Sequence, residues 1–351
     1  MNNIKSLLEH IKKGKANWLD FENFLDLPNE HLEPFLEHAR NLTQEKFHNN
    51  LKIYIPNKKF PAISITGNEC ALECSHCDKK YLKGMKPILN NEDLEDFLIN
   101  LSKKGGKGAL LSGGCEPDGS VPLINHLDTV KKIKEKTNLI INTHTGLLNE
   151  ATAKKLAEAK VDIVSFDINI DNDIIREIYH LEKDISDYEK AVSLLKKYGL
   201  NIVPHICIGL YYGKLHKELE SIKFIKEMGI NPSLIVLIAL IPPKNSENLF
   251  KRPHPEDIAK VIATIRFVFP QTEISLGCMR PRGDIKSDVE KYAIKAGITR
   301  IEIPSKSTIK WLKQVNPDVN LKFFSACCAI PREFDNFTEC KDSEIKGYLN
   351  I

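Results

Sequence analysis

The chain has 351 residues, 42% of them hydrophobic, and its 50 Lys and Arg nearly balance 47 Asp and Glu, for a formal net charge of +3. That length can bury a sizeable core, and the near-balance of charge argues against a coat for nucleic acid or for an acidic membrane surface. The longest apolar run, Leu234 to Ile241, is eight residues, far below the roughly 20 needed to span a bilayer. The amino terminus, MNNIKSLLEHIKKGK, is charged throughout and has no apolar leader, so a cytoplasmic protein is expected. Nine cysteines, an odd number, then point to metal ligation or reactive thiols rather than to a disulfide framework.

In chain order, residues 1–60 carry helical patterns at Ile4–Ile11, Trp18–Phe24 and His31–Lys46. From residue 61, short apolar or β-branched runs alternate with longer helical stretches. Strands are expected at Ala62–Thr66, Ala109–Leu111, Leu139–Asn142, Asp162–Phe166, Ile202–Ile208, Leu234–Leu240, Glu273–Leu276 and Arg300–Ile303. The intervening helices include Glu92–Leu101, with Asn91 as N-cap and Glu92 and Asp93 in its first turn. Several stop at a glycine (Gly199, Gly229, Gly297) just before the next strand. Eight βα units in about 250 residues predict an α/β fold, a (β/α)8 TIM-type barrel. A doubly wound sheet would carry a Gly-rich phosphate turn after its first strand, and here that turn is full of cysteines. The expected organisation is a helical extension over 1–60, the barrel over 61–316, and a tail over 317–351. The tail has little periodicity but contains Cys327, Cys328 and Cys340.

The strongest signal is Cys70-Ala-Leu-Glu-Cys74-Ser-His-Cys77, directly after the first barrel strand. Thiolates are soft ligands that suit iron–sulfur clusters and zinc. Structural zinc wants four closed ligands, whereas this loop supplies three and no obvious local fourth. Three thiolates on a [4Fe–4S] cube leave one iron open. The competing reading is a zinc knuckle completed by His76 or a distant residue.

This C-x3-C-x2-C loop in an eight-fold βα pattern resembles the radical S-adenosylmethionine (SAM) superfamily. The resemblance implies that the open iron chelates SAM, that reductive cleavage gives a 5′-deoxyadenosyl radical, and that Cys70, Cys74 and Cys77 are the catalytic and cluster-binding residues. After the second strand stands Ser112-Gly113-Gly114-Cys115-Glu116, similar to the superfamily's Gly-Gly-Glu contact with SAM, but with Cys115 in the Glu position. A plain tight turn is the alternative there. His144 follows the third strand and reads as structural or catalytic. The run ending the fourth strand supplies Asn169, Asp171 and Asp173, which match the ribose-binding residues of biotin synthase-like enzymes. An Asx turn and helix cap would account for at least one of these. Gly209 falls where the family's strand-five glycine admits the adenine, and Cys207 reads equally well as a core thiol.

Leu276-Gly277-Cys278-Met279-Arg280-Pro281-Arg282 sits where biotin synthase places an arginine ligand of its auxiliary cluster. Cys115, Cys278, Cys327 and Cys328, with Cys340 as a spare, are therefore expected to hold a second cluster; isolated thiols are the alternative. Arg280 and Arg282 would hold a carboxylate or simply form salt bridges. The strings "FPAISITGNECALECSHCDKKYLKGM", "SFDINIDND", "PHICIGLYYGK" and "LGCMRPRG" together resemble the biotin synthase-like branch of anaerobes and archaea, some of whose members act in pairs as a lipoyl synthase. That implies a sulfurtransferase inserting sulfur into an octanoyl chain on a lipoyl carrier protein, or into a related small molecule. A paralogous partner subunit and a low-potential electron donor are implied as well, with no nucleic acid and no membrane involved. Another radical SAM reaction, or a non-catalytic iron–sulfur or zinc protein, are the competing readings.

Overall fold

A computed structural model describes residues 2–341, apart from 245, 247 and 248. All eight expected strands form. They are β2 (Ala62–Ser64), β4 (Gly108–Ser112), β5 (Ile140–His144), β6 (Ile163–Asp167), β7 (Ile202–Ile208), β8 (Leu234–Ala239), β9 (Glu273–Leu276) and β10 (Arg300–Glu302). They lie side by side in chain order, every pair parallel, as a (β/α)8 barrel requires. Three further strands extend this sheet to eleven: β1 (Asn50–Tyr54), the short β3 (Lys86–Pro87) and β11 (Asn320–Phe324).

The sheet runs β11-β1-β10 at one end and β4-β2-β3 at the other, so β10 pairs with β1 instead of closing onto β2. Segments expected to be helical extension and irregular tail thus each contribute a strand. The two recognise one another in register from Asn50↔Asn320 to Tyr54↔Phe324, with the Tyr54 and Phe324 rings stacked 4.9 Å apart. Inside the curl, Tyr54, Phe60, Phe324 and the tail residues Ala326–Ile330 pack against Ile140, Ile163, Val203, Leu234 and Val236. The tail therefore fills the barrel interior, which explains how buried Cys328 comes to sit there.

Helices α4 (Asn91–Lys103), α5 (Leu127–Lys136), α6 (Glu150–Glu158), α7 (Ile185–Lys197), α8 (Glu218–Glu227), α9 (Pro255–Val268), α10 (Lys286–Lys295) and α11 (Lys306–Val315) connect the strands. Helix α4 starts one residue earlier than expected, because the Asn90 side chain accepts from the Asp93 backbone N–H and takes the capping role. Gly199 and Gly229 take positive φ (66° and 61°) after α7 and α8, the left-handed stop that glycine favours. The first three helices, α1 (Asn2–Lys12), α2 (Trp18–Leu25) and α3 (Glu33–Phe47), precede β1, and a last short turn, α12 (Asp335–Thr338), follows β11. Helices α2 and α3 lie over α9, with Phe24 and Phe267 in edge contact at 5.9 Å, so α9 is buried on nearly every residue. Among the described residues no helix is long and apolar enough to cross a membrane.

Candidate active site

The C-terminal ends of the strands open into a cavity of about 1170 Å³. Eight of the nine cysteines line it: Cys70, Cys74, Cys77, Cys115, Cys207, Cys278, Cys327 and Cys328. Cys340 lies apart, its sulfur 3.1 Å from the Ser325 hydroxyl.

The cysteine loop after β2 is held from two sides. On the β4 side, the Gly114 N–H donates to Thr66 Oγ1 (2.7 Å) and the Ala71 N–H to the Cys115 carbonyl (2.8 Å). On the β6 side, the Ser75 N–H donates to the Ile178 carbonyl (2.8 Å), and the Cys74 thiol donates to the Tyr179 carbonyl (3.6 Å). Left-handed backbone at Asp78 and Lys79 (φ 47° and 53°) turns the chain away after Cys77. Cys115, expected with the second group of thiols, is bound to the first: its N–H donates to Cys70 Sγ at 3.2 Å. A hydrogen bond from the Cys115 thiol, joined by backbone N–H groups, lowers the Cys70 pKa to about 5. Burial, then repulsion from Cys77 and Cys70, pushes Cys74 up to about 12, and burial raises Cys77.

The glycines expected to admit SAM also admit the protein's own loop. A Cβ on Gly114 would fall 2.0 Å from the Glu69 carbonyl oxygen, and one on Gly113 2.9 Å from Thr66 Oγ1. Gly209 (φ 72°) makes room for Pro253, which a Cβ would meet at 2.5 Å. Ser112, Gly113 and Gly114 nonetheless line the cavity, whereas Gly209 does not.

Asn169 and Asp171 line the cavity after β6. Asn169 Nδ2 and Asp171 Oδ2 are buried without a hydrogen-bond partner among the described residues. A ribose hydroxyl would satisfy the orphaned Asn169 Nδ2 donor, while Asp171 Oδ2, beside His216 Nε2 at 3.4 Å, would accept from a second. Asp173 points elsewhere: it is exposed and pairs with His216, whose Nε2 lies 3.6 Å from Asp173 Oδ2 and 3.4 Å from Asp171 Oδ2. That trio is the one group among the described residues whose potential ligand atoms fall within 4.8 Å of one another. No three thiols converge that closely, as the ligands of a single zinc ion would. Spread thiolates suit a cluster, where each sulfur binds a different iron.

Cys278 is exposed and lines the cavity. Burial and the neighbouring Cys328 push its thiol up to about 12. A hydrogen bond with Cys327, then burial, raises Cys328. Arg280 does not face this group: its guanidinium is buried between Glu290 (2.7 Å) and Glu302 (3.2 Å), while Arg282 lines the cavity. Three residues given little weight in the sequence also meet here. His144 Nδ1 is 3.8 Å from Asp167 Oδ2, and its ring is edge-on to His205 at 4.8 Å. Burial and His144 lower the His205 pKa to about 3, and burial raises Asp167. The imidazole of His205 is therefore neutral at pH 7, in keeping with walls of Leu110, Phe166, Ile206, Val236 and Ile238. Cys207, read equally as core, faces the cavity too.

Residues 64–224 match the Radical SAM superfamily. Biotin synthase of Buchnera aphidicola subsp. Schizaphis graminum is 24% identical over 251 residues, covering 68% of this chain and 70% of that protein. Biotin synthase of Bacillus cytotoxicus is 27% identical over 225 residues, covering 59% of this chain and 63% of that protein, less than two thirds of its length. Among solved structures, the FeFe-hydrogenase maturase HydG from Carboxydothermus hydrogenoformans superposes with a TM-score of 0.69 at 17% identity, covering 95% of this chain and 82% of that one. Methylornithine synthase (PylB) superposes with a TM-score of 0.60 at 19% identity, covering 86% and 87%. These two likenesses are of fold. The match over residues 64–224, the three-cysteine loop at the barrel mouth and the biotin synthase relatives at low identity make this chain similar to radical SAM enzymes, a superfamily that works with a [4Fe–4S] cluster and SAM.

Proposed function

We propose that this enzyme inserts sulfur at an unactivated C–H bond of an octanoyl chain carried on a protein, in the manner of a lipoyl synthase, working with a paralogous partner and a low-potential electron donor. One observation carries the reading: Cys278, Cys327 and Cys328 line the same apolar-walled cavity as Cys70, Cys74 and Cys77. When bound, a [4Fe–4S] cluster with SAM would supply the reductive chemistry that removes hydrogen from carbon. Cys70, Cys74 and Cys77 would hold that cluster by three thiolates, leaving one iron for SAM. Asn169 and Asp171 would hold its ribose. Leu110, Phe166, Ile206, Val236 and Ile238 would grip an acyl chain and keep water from the reacting carbon. Cys278 with Cys327 or Cys328 would hold a second cluster as the sulfur source; two adjacent cysteines do not easily serve one cube, so one of the pair stays a thiol.

The deciding experiment is incubation of the anaerobically reconstituted protein, alone and with its paralogue, with SAM, reductant and an octanoyl-lysine peptide, followed by mass measurement of sulfur gain. SAM cleavage without sulfur gain under any of these conditions would move the chain to another radical reaction. Reconstitution should load about eight irons per chain, and a plateau at about four would remove the second cluster. Cys278→Ala should leave 5′-deoxyadenosine formation largely intact and abolish sulfur transfer. Loss of SAM cleavage in that variant would assign Cys278 to the first cluster or to folding.

A further inference from the structure

Three neighbouring strands carry a polar group that an acyl chain by itself leaves unanswered. His144 ends β5, Asp167 ends β6 and His205 sits within β7; Asp167 and His205 are register partners, and all three line the cavity. The His205 Nδ1–H donates to the Val203 carbonyl (3.0 Å). A carbonyl can only accept, so this bond fixes the tautomer and leaves Nε2 as a bare acceptor. Asp167 is exposed, and among the described residues its carboxylate accepts no hydrogen bond; His144 Nδ1, with which it pairs, stays 3.8 Å away. Its negative charge raises the pKa of both the Cys115 and Cys207 thiols, which places it between the cysteine loop and β7. Two free acceptors thus share a cavity whose walls include Leu110, Phe166, Ile206, Val236 and Ile238. A hydrocarbon chain filling that space would strip water from both and return no hydrogen bond.

We propose that Asp167 and His205 form the acceptor pair for the N–H of the secondary amide that joins the acyl chain to its lysine, and so select N-acyl substrates; the inference rests on the octanoyl reading above. A secondary amide carries an N–H beside its carbonyl, whereas an ester or thioester carries none. The same chain on oxygen or sulfur would desolvate both acceptors without replacing their water, and a site built to accept a hydrogen bond rejects such an analogue. The apolar walls favour this neutral donor over a charged amine, whose own desolvation costs far more. Holding the amide at the ends of β6 and β7 also fixes which carbon of the chain reaches the reacting position.

The test uses reconstituted holoenzyme with SAM and two peptides, octanoyl-lysine and its isostere with an ester oxygen in place of the amide nitrogen. Wild type should bind the amide about tenfold to a hundredfold more tightly, the size expected of a hydrogen bond to a charged acceptor. Asp167→Ala removes a side chain that no hydrogen bond ties to the fold, and there the ratio of Kd values should fall to within about threefold of one. Equal Kd values for the two peptides in wild type, or a preference that survives in Asp167→Ala, overturns the assignment. So does a loss of SAM affinity in the variant as large as its loss on the amide, which would give Asp167 to SAM. Sulfur gain is scored separately. Gain on both peptides with equal kcat/KM upholds the octanoyl reading and overturns the acceptor pair. Gain on neither, with an Asp167-dependent preference in Kd, overturns the octanoyl reading and upholds the pair. If neither peptide binds, both fail.

Discussion

Replacing Gly114 with alanine should prevent a cluster from loading on Cys70, Cys74 and Cys77. Iron content after reconstitution should fall by the equivalent of one cluster, and 5′-deoxyadenosine formation should drop by about 10²-fold or more. The cause is local packing between neighbouring strand ends. An added Cβ would lie 2.0 Å from the Glu69 carbonyl oxygen, 2.5 Å from Cys70 Cβ and 2.6 Å from Cys70 Cα. Two of those three are backbone atoms, so relief requires the cysteine loop itself to move, and with it the Cys115 N–H contact to Cys70. Gly113→Ala should be milder, because its new Cβ would press on the Thr66 side chain at 2.9–3.0 Å, which can rotate at the expense of its bond from the Gly114 N–H. Gly84→Ala in the same loop, where an added Cβ meets nothing within 4 Å, should retain full iron and activity. If Gly114→Ala keeps both, the loop yields more readily than its hydrogen bonds imply.

The same pair of strand ends shows what a linear reading can and cannot reach. The sequence groups Cys70, Cys74 and Cys77 because their spacing is local and their strand is marked by its apolar pattern. Their neighbour Cys115 is 45 residues from Cys70, and chemistry alone groups it with Cys278. Register decides otherwise: Ser64 pairs with Ser112, so the loops that leave β2 and β4 lie against each other. Asp167 and His205 are likewise register partners across β6 and β7, a juxtaposition no motif announces. Strands β1 and β11 leave little mark in the sequence for a related reason. NLKIY and NLKFF are short, carry polar residues, and find their partners only at long range: each other across some 270 residues and, for β1, β10 as well. Periodicity reports burial within a segment, and these two are half-exposed until they meet.

Arg280→Met is expected to destabilise the fold by about 3–5 kcal/mol, which for a chain of this size lowers the thermal midpoint by roughly 4–7 °C. The sequence left Arg280 open between a ligand of the active site and a salt bridge, and its surroundings decide for the latter. Nη1 donates to the Gly277 carbonyl (2.7 Å) and to Glu302 (3.2 Å); Nη2 donates to Glu290 (2.7 Å) and to the Glu302 carbonyl (2.7 Å). One side chain thus fixes the turn after β9 to α10 and to the end of β10. Removing it strands Glu290, fully buried, with only the Ser305 N–H and the Thr308 hydroxyl as close hydrogen-bond donors (2.8 and 2.7 Å) and Lys286 at 3.7 Å. Burial alone would raise the Glu290 pKa, but attraction to Arg280 and these hydrogen bonds hold it below the ordinary glutamate value. A carboxyl depressed in the folded state contributes its stability fully above the unfolded value of about 4.3 and loses it as pH falls through the folded value. Wild type should therefore lose this part of its stability below about pH 4.3. In Arg280→Met that acid-side loss should shrink or reverse, because the unpaired Glu290 becomes easier to protonate. Thermal scans of both proteins between pH 3.5 and 7 read the difference directly. Equal midpoints at pH 7, with SAM cleavage lost, would instead return Arg280 to the active site.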